Sequence, residues 1–290
     1  MRKKNGLVLE GGSQRGIFTA GVLDYFMEKN LIFPYVVGTG AGAANAVGYI
    51  AGQNERMKEI MTYNGPDAYI GKSAKQRCKS MIDLEMLFSK YPYDQFPLDF
   101  AAYFSSGIRS EYVVTNVATG KADYLNDAND EKRLLEIMKA SAAFPTVTPP
   151  VYIGGVPYFD GAVTDPIPVK RAFMKGCQKC VVVLTKQQGS LTKQPINENA
   201  PTSVVYRKYA DFIKAFNSRR TVYESRMELI SYLEKAGMIY VIRPTMPEIG
   251  RFETDPEKLG GFYQHGYDVA DKCFDEILAF LGEQKVENDD

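Results

Sequence analysis

Three short stretches of this 290-residue chain hold residues able to do chemistry. They are Gly11-Gly12-Ser13-Gln14-Arg15-Gly16, Gly38-Thr39-Gly40-Ala41-Gly42 and Asp160-Gly161-Ala162. The first two each join a short apolar run to a helix-like stretch. A turn of that kind aims several backbone N–H groups at one spot near the positive end of a helix, where negative charge is stabilised. A bound phosphate fits such a spot, and so does the oxyanion of acyl transfer. The second turn has the build that displays a catalytic serine at a strand-to-helix elbow, yet its middle residue, Gly40, has no side chain. Asp160, read by itself, serves equally as a turn former and as a carboxylate able to take a proton.

Other chemistries have less to work with. The chain has one histidine, His265, so any Ser-His-Asp triad must use it. It lies in a C-terminal helical pattern beside Tyr263 and Tyr267, where packing or surface exposure is the expected role. Cys177-x-x-Cys180 lacks the second pair or clustered histidines of a zinc site. With Cys78 and Cys273 these residues read as small thiols, so neither a metal nor a cofactor is expected. Gly38-x-Gly40-x-x-Ala43 does fit the dinucleotide fingerprint G-x-G-x-x-G/A. That fingerprint also needs an acidic residue closing the next strand, about twenty residues on. Glu55 and Glu59 fall instead in polar, helix-like sequence, and the first turn does not continue as a P-loop.

The elements that must position these turns are short apolar strands alternating with helical stretches. Strands are expected at Gly6–Glu10, Tyr35–Gly38, Cys180–Leu184 and Met238–Ile242. Helices are expected at Ile17–Glu28, Ala43–Ala51 and Glu131–Ala140, and at about 201–217, 219–236 and 256–281. Glu111–Val117 with Lys121–Leu125, and Tyr152–Ile153 with Pro157–Phe159, read as hairpins. Asp165-Pro166 reads as a helix cap followed by a first-turn proline. The alternation predicts a three-layer α/β/α fold around a largely parallel sheet, as one domain over residues 1–282 with a polar tail at 283–290.

Lysine plus arginine and aspartate plus glutamate balance at 35 each, which argues against a nucleic-acid surface. Asn30 to Asn54 carries no charge, but its five glycines and Pro34 mark a buried strand–turn–helix rather than a membrane span. A cytoplasmic protein is expected. Phe88, Tyr91, Tyr93, Phe96, Phe100, Tyr103 and Phe104 crowd one segment, and read as core beneath a loop or as a cap over a cleft.

Taken in order, "GGSQRG", "GTGAG" and "YFDGAVTDPIPV" resemble the patatin-like phospholipase family. "ASAAFPTVTPPV" and "LGGFYQHGYDVA" extend the resemblance over nearly the whole chain. The resemblance implies a Ser–Asp dyad on an α/β/α sandwich that hydrolyses acyl esters of lipids. As a cap over the cleft, the aromatic-rich segment would contact acyl chains or a membrane interface, a peripheral membrane contact. The resemblance makes Asp160 the base. It assigns the oxyanion site to Gly11, Gly12, Ser13, Arg15 and Gly16, and the elbow flanks to Gly38 and Gly42. The nucleophile position falls on Gly40, and Ser13 stands where the family often has a third glycine. The chain as given is then expected to be inactive. Two alternatives stay open: a natural pseudoenzyme that binds lipid or a protein partner, and a nucleotide-binding protein using Gly38–Ala43.

Overall fold

A computed structural model describes residues 5–190 and 204–282. In chain order the elements are β1 (Asn5–Leu9), α1 (Gly16–Glu28), β2 (Tyr35–Thr39), α2 (Ala41–Ile50), α3 (Arg56–Thr62), α4 (Lys72–Cys78) and α5 (Phe100–Ser105). They continue with β3 (Arg109–Asn116), β4 (Lys121–Leu125), α6 (Glu131–Ala142), β5 (Val151–Ile153), β6 (Val156–Asp160) and α7 (Val169–Met174). The last are β7 (Lys179–Val183), α8 (Ala210–Lys235), β8 (Ile239–Ile242) and α9 (Pro256–Leu281). The expected tail at 283–290 and the start of the helix expected near 201 lie outside the described residues.

Strands β3, β2, β1, β7 and β8 pair in parallel, in that spatial order. Their apolar residues alternate between two cores, as the two-residue period of a strand requires. Leu7, Leu9, Val36 and Val181 face one core, closed by α1, α2, α6 and α9. Val8, Val37, Val113 and Val182 face the other, closed by α7 and the C-terminal half of α8. The three layers expected from the alternation are therefore present, and strands buried on both faces explain the near-continuous apolar runs.

The geometry of the site follows from how β3 is shared. β4 runs antiparallel along residues 112–116 of β3. The other edge is divided between two strands. β2 lies parallel along 109–113, and β6 lies antiparallel along 114–116. Because they run in opposite directions on one edge, their C-terminal ends meet head-on, Thr39 opposite Val113 and Asp160 opposite Val114. Gly40 follows immediately on Thr39.

Two local expectations fail. The helices expected at 201–217 and 219–236 form, where described, one continuous α8 of 26 residues. Asn217 and Ser218 weaken helix propensity, but packing of Phe212, Phe216 and Ile230 overrides so small a local term. Asp165 is not a helix cap. Its buried carboxylate accepts from Tyr124 Oη at 2.7 Å and from Arg226 Nε at 2.9 Å, and α7 begins only at Val169.

Candidate active site

Gly40 is the cap residue of α2, with φ +56° and ψ −120°. That backbone lies in the left-handed half of the map, which glycine enters freely and other residues enter only under strain. A Cβ built on Gly40 would lie 3.4 and 3.5 Å from the carboxylate oxygens of Asp160, in ordinary contact. A side chain at this position would point at Asp160.

Ser141 fastens the junction of the two strand ends. Its hydroxyl accepts from Gly40 N at 2.9 Å and donates to Val113 O at 2.8 Å, in the gap between β2 and β6. Asp160 is held from both sides. Its N–H donates to Ala143 O at 2.7 Å, its C=O accepts from Thr115 Oγ1 at 2.8 Å, and its carboxylate accepts from Ala162 N at 2.8 Å. Burial pushes its carboxyl up to about 6, while the Ala162 N–H and the charge of Arg251 pull against that rise. A carboxylate poised there is charged at neutral pH and still basic enough to accept a proton.

The first glycine turn stands beside this pair. Gly11, Gly12 and Ser13 line the same cleft as Gly40 and Asp160. Among the described residues, neither the Gly11 nor the Gly12 amide has an acceptor within the chain. Gly12 has to be glycine for space, since a Cβ there would lie 2.6 Å from Thr185 Oγ1. Ser13 keeps a glycine-like φ of +53°. Gln14, fully buried, holds the turn in that shape. Its amide donates to Met61 O and Glu253 O, and its carbonyl accepts from Tyr69 Oη at 2.6 Å.

Not every expected residue reaches the cleft. Gly16 opens α1 with its N–H turned back on the Ser13 and Gln14 carbonyls, so it offers no donor to an anion. Its closeness to Ala41, 2.7 Å from a would-be Cβ, makes it a packing residue instead. Gly38 and Gly42 also serve close packing, Gly42 against the Leu9 and Glu10 carbonyls. Arg15 does line the cleft, but it also pairs with Glu248 at 3.6 Å. His265 is remote from this chemistry. Its Nε2 accepts from Thr245 N at 3.0 Å, and its ring packs on Phe18 and Phe262. Burial pushes its pKa down.

The cleft encloses about 160 Å³. Its apolar lining comes from α3 and the segment after it, including Met57, Met61, Leu84, Leu87 and Phe88. Within the aromatic-rich segment only Phe88 turns to the cleft. Tyr91 and Tyr103 are core, and Tyr93 is exposed and stacked on Phe100. The C-terminal stretch adds Lys186, Arg219, Arg220, Tyr223 and Arg251 to the cleft walls. Sequence reasoning missed Gln14, Ser141 and these cations. Only Ser141 left any local signal, as the one hydroxyl inside the "ASAAF" run.

The family described as patatin-like phospholipase matches residues 7–173, and a domain of unknown function (DUF6363) matches residues 209–282. The uncharacterized protein YjjU of Escherichia coli is 36% identical over 187 residues, 62% of this chain and 51% of that protein. Lysophospholipase NTE1 of Lodderomyces elongisporus is 23% identical over 292 aligned positions, 93% of this chain but 19% of that protein. The chain thus spans about half the length of one relative and about a fifth of the other. The crystal structure of VipD from Legionella pneumophila matches in fold, with a TM-score of 0.50 at 14% identity over 95% of this chain and 67% of that one. Among the described residues, no helix is long and apolar enough to cross a membrane.

Proposed function

The chain belongs to the patatin-like phospholipase family, and we propose that its cleft is a lipid acyl-ester site complete except for the attacking atom. In this reading Asp160 is the base, and the amides of Gly11, Gly12 and Ser13 form the oxyanion site. Position 40 is where the nucleophilic hydroxyl belongs. The observation that carries the reading is the Gly40 backbone, φ +56° and ψ −120°, with its missing Cβ directed at Asp160 from 3.4 Å.

With a serine at position 40 the chemistry balances. Its Oγ attacks the ester carbonyl carbon while its proton passes to Asp160, and the carbonyl oxygen becomes an oxyanion facing the amides. Collapse breaks the ester C–O bond, and the leaving alkoxide takes the proton from Asp160. Water then repeats the sequence on the acyl-enzyme and releases a free fatty acid. No step requires His265 or a metal ion. With glycine at position 40 the first bond cannot form. Loss of the attacking serine costs a serine protease about a million-fold in turnover, so this chain binds an acyl lipid without appreciable hydrolysis.

The retained apolar lining favours lipid binding as a function in its own right, which is the pseudoenzyme reading. The nucleotide alternative gains no support. Gly42 is packed on the β1 carbonyls, and the space beside Gly40 faces the Asp160 carboxylate, which repels a phosphate. A lipid drawn from a bilayer also entails peripheral contact with that bilayer.

The deciding experiment compares ester hydrolysis by this chain, by Gly40→Ser and by Gly40→Ser/Asp160→Asn. Hydrolysis by the single variant alone supports the reading. A folded Gly40→Ser that stays at the rate of the original chain on every acyl ester overturns it.

A further inference from the structure

Glu10 stands between β1 and the first glycine turn, and it is 1% exposed. A buried carboxylate beside an anion site has to be held firmly, because its own charge opposes the anion. Thr185 and Tyr223 hold it. Thr185 N donates to Oε2 at 2.6 Å, Thr185 Oγ1 lies 3.1 Å from the same oxygen, and Tyr223 Oη donates to Oε1 at 2.9 Å. The charge of Glu10 also acts on Lys186, whose Nζ lies 3.7 Å from the centre of the Tyr223 ring. Burial and the Glu10 charge push the Tyr223 phenol up, so it stays a donor throughout the neutral range.

The same threonine touches the turn itself. Thr185 Oγ1 lies 3.3 Å from Gly11 O, and its single hydrogen serves that carbonyl or Glu10. It also presses on Gly12, where a Cβ would stand 2.6 Å away. In a planar trans peptide the C=O and the next N–H point in opposite directions. Fixing Gly11 O toward Thr185 therefore turns the Gly12 N–H away from Thr185. Among the described residues that N–H has no acceptor within the chain, and Gly12 lines the cleft.

A line of contacts thus runs from Tyr223 through Glu10, Thr185 and Gly11 to the Gly12 amide. Its outer end lies in α8, within residues 209–282, the stretch matched by the domain of unknown function. That stretch holds the turn at two further residues. Arg251 O accepts from Gln14 N at 3.3 Å, Glu253 O accepts from Gln14 Nε2 at 2.9 Å, and Glu248 pairs with Arg15.

We propose that Tyr223 is a positioning residue for the oxyanion site, acting through Glu10 and Thr185 to fix the direction of the Gly12 amide. The stretch of unknown function then has a definite task, which is to brace a turn that belongs to the phospholipase stretch. The proposal rests on the oxyanion reading of that turn.

Tyr223→Phe keeps the ring beside Lys186 and removes only the hydroxyl. In the Gly40→Ser background it should lower kcat on p-nitrophenyl decanoate about tenfold with KM within about twofold, the pattern of a donor misaligned in the transition state. Thr185→Val should lower kcat at least as much, and Thr185→Ser should retain it. Adding Tyr223→Phe to Thr185→Val should cost less than about twofold further, because both act along one line. Circular dichroism establishes that each variant is folded. A kcat unchanged by Tyr223→Phe, or full additivity of the two changes, overturns the proposal while leaving the acyl-ester reading intact. Calorimetry with decanoate and decanol on chains carrying Gly40 needs no hydrolysis. Decanoate offers a carboxylate to the amides and decanol does not. Tyr223→Phe should weaken decanoate binding about fivefold and decanol binding less than about twofold. If Gly40→Ser is inert, the acyl-ester reading falls and calorimetry alone decides. A loss confined to decanoate then upholds the bracing role, and an equal loss for both, or none, overturns it.

Discussion

The point where a Cβ on Gly40 would sit lies 3.4 Å from Oδ1 of Asp160. One bond further out, a serine hydroxyl reaches hydrogen-bond distance of that carboxylate. Gly40→Ser is accordingly expected to raise hydrolysis of p-nitrophenyl butyrate and longer esters well above that of the original chain. The same change forces a non-glycine residue to φ +56°, so urea unfolding should show a loss of order 1–3 kcal/mol. A gain in rate with no loss in stability would mean that the elbow relaxes on substitution.

Asp160 gives that variant its pH dependence. Burial pushes the carboxyl up to about 6, and only the ionised form accepts a proton. Activity of Gly40→Ser should climb as pH rises through about 6 and then level off, with no inflection owed to His265. His265→Gln in the same background leaves the profile unchanged.

Stability responds to Asp160 in the opposite direction. Its pKa is higher folded than at the ordinary 3.8, so the folded chain holds that proton more tightly. The stabilisation is complete below about 3.8 and is lost as pH rises through about 6. Above that, the buried charge costs on the order of 3 kcal/mol. Asp160→Asn should therefore stabilise the protein at about pH 8 and much less at about pH 4, as chemical denaturation at both values would show.

Ser141 bridges Gly40 N and Val113 O with a single hydroxyl. Ser141→Ala leaves both groups buried without that partner, at a cost of about 1–3 kcal/mol. In the Gly40→Ser background it should lower kcat more than it raises KM, because it loosens the elbow rather than the lipid contacts. An unchanged kcat would reduce Ser141 to a stability residue.

What could be read from the sequence was whatever consecutive residues carry. Both glycine turns, Asp160 and the strands around them announce themselves within a few positions, because strand and turn chemistry act locally. Ser141, Gln14 and Arg251 could not be found that way. Ser141 matters only because β6 displaces β2 along β3, and Gln14 only because its partners lie at residues 61, 69 and 253. The break expected inside α8 falls just after Phe212 and Phe216, whose burial in a core built from distant elements is not visible in the neighbouring residues. Asp165 looked like a cap because its ion-pair partner, Arg226, lies 61 positions away.

Two glycines have a consequence for how such a chain can change. A Cβ on Gly21 in α1 would lie 2.1 Å from Tyr263 O in α9, and one on Gly266 would lie 2.1 Å from Phe18 O. The helices therefore cross backbone against backbone, each relying on the other's missing side chain. Gly21 lies in the stretch matched by the phospholipase family, and Gly266 in the stretch of unassigned function. A methyl group on either helix meets the facing carbonyl, and no change on the partner can make room for it. An exchange of one stretch between relatives is therefore expected to fold only where both parents carry glycine at these two positions.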